Sequence, residues 1–137
     1  MPERSPHQAD PWPPGVPKPG DVTWPGGAVR WLNDTFPENH WRWVVLADNP
    51  WMLALTVAAR LRADIEVLRA EYRITARKWA PFLPPATAQK LLAAMEKEGN
   101  RLKVLLTYVH ALENALSPTH PELKPESAPG GDVSAAP

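Results

Sequence analysis

Arg62, Arg69, Arg73 and Arg77 recur four or seven residues apart, a spacing that puts them on one flank of a helix, with Arg60 and Lys78 nearby. A basic flank of this length has the chemistry to follow the phosphates of a nucleic acid. The competing reading is a solvated face, because Glu66 can pair with Arg62 and with Arg69 or Arg73 along the same flank. Metal chemistry has less to work with. The chain has no Cys, and of its four His (7, 40, 110 and 120) two fall in the Pro-rich tails, while His110 is followed one turn later on a predicted helix by a carboxylate, Glu113. No second His/Glu pair faces that one to complete a bundle-type di-metal site. A glycine-rich phosphate loop, a GxSxG elbow and a pocket with paired carboxylates are also missing. The expectation is a protein that is not an enzyme and uses no cofactor and no metal.

Tryptophan is the other unusual resource, with 7 in 137 residues. Abundant Ala, Pro, Arg and Trp beside only two Ile (65 and 74) is what GC-rich codon usage produces, and Trp in a small body is generally core. Trp is also a frequent anchor of protein interfaces. Trp12 and Trp24 sit in a Pro-rich stretch with no evident core of its own. That leaves this body, a second copy, or a partner that reads extended Pro-rich peptides to receive them. With Trp31, Trp41, Trp43, Trp51 and the off-seam Val67 and Ile74, they form the candidate protein interface.

These side chains need elements to carry them, and proline marks where such elements can exist. It takes 8 of the first 27 positions, 5 of the last 21 and 5 of the 89 between. Residues 1–27 and 117–137 are therefore expected to be disordered or polyproline-like tails around one domain, 28–116. The formal charge is zero, yet the body carries 12 basic and 9 acidic residues between acidic arms. The run Asn49 to Ala59 falls well short of the ~20 apolar residues a spanning helix needs. Because the first residues lack a secretory h-region, a cytoplasmic location is expected.

Within the body, Gly26-Gly27 suggests a turn and Ala28–Asp34 a short helical piece. Thr35 and Glu38 have capping-box spacing around Pro37, which predicts a short helix to about Ala47. Asn49-Pro50 opens a long helix to Ala80, and Pro84-Pro85 opens another from 85 to 116. Trp51, Ala54, Ala58, Leu61, Ile65, Leu68, Tyr72, Thr75 and Trp79 keep a three-four spacing on the first. Ala88, Leu91, Met95, Glu98, Leu102, Leu105, Val109, Leu112 and Leu116 keep it on the second. A link as short as Pro81-Phe82-Leu83-Pro84 predicts an antiparallel hairpin. The preferred register pairs Leu68 with Leu102, Ile65 with Leu105 and Leu61 with Val109, and sets Tyr72 opposite Glu98. The short helices upstream are expected to cover the open end, where Trp51 to Ala59 is apolar except at Thr56.

The run Leu61-Arg-Ala-Asp-Ile-Glu-Val-Leu-Arg69 resembles the first helix of the all-helical chorismate mutases, whose basic residues project into a pocket. Here the six basic residues from Arg60 to Lys78 all miss the seam, and the second helix lacks the acidic and glutamine partners, so that activity is not expected. The expected fold is all-α, and the expected function is a non-catalytic helical adaptor or assembly protein whose partner is a protein, including a second copy. The alternative is a small nucleic-acid-binding accessory protein using Arg62, Arg69, Arg73 and Arg77.

Overall fold

A computed structural model describes residues 10–118, and these are mostly helical with no strand among them. Four α-helices follow one another: α1 (Trp24–Thr35), α2 (His40–Leu46), α3 (Pro50–Ile74) and α4 (Pro85–Leu116). A 3-10 turn, Pro37–Asn39, leads into α2. Between α3 and α4 lie a π-helical turn, Thr75–Trp79, and a 3-10 turn, Ala80–Phe82.

Proline explains most of these bounds. Pro50 and Pro85 each open a helix where a missing N–H costs nothing. Leu83 is extended ahead of Pro84, and Ser117 ahead of Pro118, the conformation that a following proline favours. Pro81 stops the first long helix sooner than expected. Its ring cannot coexist with an α-helical carbonyl four residues back, and the chain widens into the π turn instead of continuing to Ala80. The capping box at Thr35 does not form: Phe36 occupies the cap position and no side chain caps the turn.

The helix α1 starts four residues earlier than the sequence suggests and runs straight through Gly26-Gly27. Trp24, Ala28 and Leu32 recur at one-turn intervals along its buried face, and Phe36 extends that stripe. Burial of this stripe overrides the weak helix propensity of two glycines. Upstream, the Asp21 carboxylate accepts hydrogen bonds from the Thr23 backbone N–H at 2.9 Å and the Thr23 hydroxyl at 2.7 Å, a turn that delivers the chain into α1. Those two bonds hold the Asp21 pKa below its ordinary value.

The part of the 1–27 tail that is described is packed, which corrects the expectation of disorder there. Pro13 and Val16 are buried and Trp12 is half-buried against the core. Gly27 makes the close approach possible. A Cβ built on it would lie 2.6 Å from Pro17 Cδ, a ring atom that cannot swing aside. Gly27→Ala is therefore expected to release the arm even though Ala favours the helix by about 1 kcal/mol. Hydrogen exchange at residues 16–22 should accelerate while helical content holds; unchanged protection would show that the arm yields without cost. Residues 1–9 and 119–137, including most of the acidic C-terminal tail, lie outside the described residues.

The core is concentrated at one end. Leu53, Ala54, Val57, Ala58, Leu61 and Ile65 of α3 meet Leu102, Val109 and Leu112 of α4, and Val16, Trp24, Ala28, Leu32 and Phe36 close over them. Contacts between the long helices descend on α3 as they climb on α4, from Tyr72 with Glu96 to Leu68 beside Gly99. Tyr72 thus meets Glu96, not Glu98, whose carboxylate instead takes two hydrogen bonds from Arg101 on its own helix at 2.8 and 2.9 Å. At this level the carboxylate that meets Tyr72 is thus two residues from the one the expected register sets opposite it.

Candidate functional site

The Trp residues divide into those the core absorbs and those it leaves outside. Trp24 is buried, and Trp12 packs on it with ring centroids 5.2 Å apart while its indole N–H donates to the Val16 carbonyl at 2.8 Å. The amphipathic ring therefore seats the Pro-rich arm without leaving a buried donor unpaired. Trp31 presents edges to Phe36 and Tyr108, at 5.8 and 6.1 Å. Trp43 stacks on His40 at 5.2 Å, and His40 Nδ1 is 3.0 Å from Asn33 Oδ1. Trp51 is half-buried. Of the proposed interface residues, then, Trp12, Trp24, Trp31 and Trp43 serve the packing of this chain.

One set of apolar side chains left outside the core is on α2. Trp41, Val44 and Val45 are 61, 61 and 73 % exposed, and their spacing places them on one face. No residue of α2 is buried, although Trp43 and Leu46 pack partly against the core. The Arg42 guanidinium lies 4.3 Å from the Trp41 ring centroid, and its Nε–H donates to the buried Asn39 side chain at 2.8 Å. That pair of contacts holds the indole in a set position. Val44 and Val45 were expected to cover the open end; the turn at Pro37–Asn39 points them outward, a rotation that their spacing alone does not reveal.

All four arginines of the candidate nucleic-acid flank are exposed, but they do not line a single depression. Arg69 donates to Glu66 at 2.6 Å and borders a shallow groove of about 270 Å³ between the long helices, beside Tyr72, Met95 and Glu96. Arg73 and Arg77 line a separate depression with Ile74 and Lys78. Arg62 belongs to neither, and the neighbouring Arg60 pairs with Asp64 at 3.0 Å. In the first groove the Tyr72 hydroxyl donates to Glu96 at 3.1 Å, and the carboxylate beside it raises the phenol pKa. Arg101 lowers the pKa of Glu98 through their paired hydrogen bonds. His110 does lie 3.2 Å from Glu113, but among the described residues no three His, Asp or Glu side chains converge as metal ligands would.

Val67 and Ile74 are exposed as expected, whereas Trp79, placed on the seam by its spacing, is not a seam residue. Five residues of π-helical turn change the angle per residue, so the three-four spacing stops marking one stripe after the buried Thr75. Comparison with protein-family models, with curated proteins and with solved structures finds no match to this chain. No helix among the described residues is long and apolar enough to cross a membrane.

Proposed function

We propose that this chain is a non-catalytic adaptor or assembly protein, built on an antiparallel hairpin of α3 and α4, that pairs with a second copy through α2. The observation that carries this is an apolar helix face without cover: Trp41, Val44 and Val45 stand exposed while none of the seven residues of α2 is buried. Met52, in the first turn of α3, is also exposed and extends the apolar surface along the chain. Two copies meeting through this patch would each cover the other's, the self-complementary arrangement of a two-fold dimer. Trp41, held by Arg42, would enter such a contact at little entropic cost, as a rigid aromatic anchor.

Light scattering or sedimentation equilibrium of the full chain tests it. A mass that rises toward a dimer with concentration is expected, and Val44→Glu with Val45→Glu should weaken the association at least about tenfold by burying unpaired charge. Helicity should be unchanged, since both side chains are exposed. A strict monomer at high micromolar concentration would overturn the proposal.

A further inference from the structure

The bend between the long helices has a composition unlike the rest of the molecule. Between Tyr72 and Met95 the charged residues are Arg73, Arg77, Lys78 and Lys90, with no acidic residue among them. The domain's small basic surplus is therefore concentrated in this end. The same segment projects large apolar side chains into solvent: Trp79 is 50 % and Phe82 85 % exposed. Ile74 is also exposed, in a shallow depression rimmed by Arg73, Arg77 and Lys78. Only Thr75 and Ala88 are buried here, so the end has little core that would draw these rings inward.

We propose that this bend is a membrane-surface anchor, with Phe82 and Trp79 entering the interfacial layer of a bilayer and the four cations meeting anionic lipid headgroups. Three features favour that occupant. The rings sit at a bend joining two helices, and a bilayer interface deforms to receive an apolar projection without needing a matching pocket. Tryptophan and phenylalanine flanked by lysine and arginine match the polarity gradient of a headgroup region, apolar below and anionic above. Pro81, Pro84 and Pro85 fix φ along the bend, so the loop is already shaped and little ordering entropy is lost on docking. The like charge also argues against a second copy docking tip to tip. The proposal is independent of self-association, which uses α2.

Cosedimentation of the full chain with vesicles tests it. Vesicles one-third phosphatidylserine should retain the protein, vesicles of phosphatidylcholine alone should not, and added salt should weaken retention. Trp79→Ser with Phe82→Ser, at exposed positions, should lower binding at least about tenfold with helicity and melting temperature preserved, and Arg77→Glu with Lys78→Glu should do the same. No retention by phosphatidylserine vesicles would overturn the proposal, as would full retention of the Trp79/Phe82 variant. So would a duplex oligonucleotide that binds as tightly as the vesicles regardless of those two rings, since the bend would then be a general polyanion surface.

Discussion

Replacing Leu112 by Ala is expected to lower the unfolding free energy by about 2–5 kcal/mol, the cost of deleting a buried side chain and leaving a cavity. Leu112 on α4 is fully buried within the cluster that unites α1, α3 and α4, so no single element can relax to fill the space. A domain of this size has a total stability of roughly 5–15 kcal/mol, so the loss would be a large fraction of it. The internal control is Leu91, also on α4 and also at a seam position in the sequence. It is exposed in the structure, so Leu91→Ala should cost under about 1 kcal/mol. Urea unfolding followed by circular dichroism, at low protein concentration so that the proposed self-association adds nothing to stability, measures both. Equal losses at the two positions would mean that the core extends evenly along the long helices, contrary to its observed concentration at one end.

The contrast between Leu112 and Leu91 also shows where sequence pattern stops being informative. A three-four spacing predicts that residues share a stripe, and Ala54, Ala58, Leu61, Ile65, Leu102, Val109 and Leu112 are indeed buried on theirs. It does not predict whether anything covers the stripe. Near the bend two helices alone cannot enclose Leu91, while at the other end α1 and the N-terminal arm supply a third side. The bounds of α4 were legible because proline punctuates both ends, a local effect of ring geometry. The end of α3 was not, because Pro81 acts backward through its clash with the preceding turn and selects a π-helical exit. Composition misled most at the arm. Proline removes donors, which argues against regular structure, but it also lowers the entropy of the unfolded chain, so a few contacts suffice to hold it. The exposed arginines were visible as a flank, but spacing on one helix does not show that Arg69 borders a groove shared with α4 while Arg73 and Arg77 line a separate depression. The open face of α2 was present as the spacing of Trp41, Val44 and Val45, but its direction was decided by the turn at Pro37.

Trp24→Ala should be as damaging as Leu112→Ala, at about 3–5 kcal/mol, and it should do something further. Trp24 is both the first buried residue of α1 and the surface on which Trp12 rests, so its removal deletes core volume and the arm's docking site together. Trp12→Ala, at a half-buried position, should cost less. The two losses should not add: once Trp24 is gone, Trp12 has no ring to meet, and the double variant should fall short of the sum by about 0.5–1.5 kcal/mol. Hydrogen exchange over residues 12–22 should rise to the same level in either single variant, because the indole N–H of Trp12 closes the arm onto Val16 only while the ring is held. A disordered arm makes the opposite forecast, in which Trp12→Ala costs nothing, couples to nothing and leaves exchange unchanged. The coupling energy thus separates an arm that is part of the fold from one that merely precedes it, and it does so without reference to any partner.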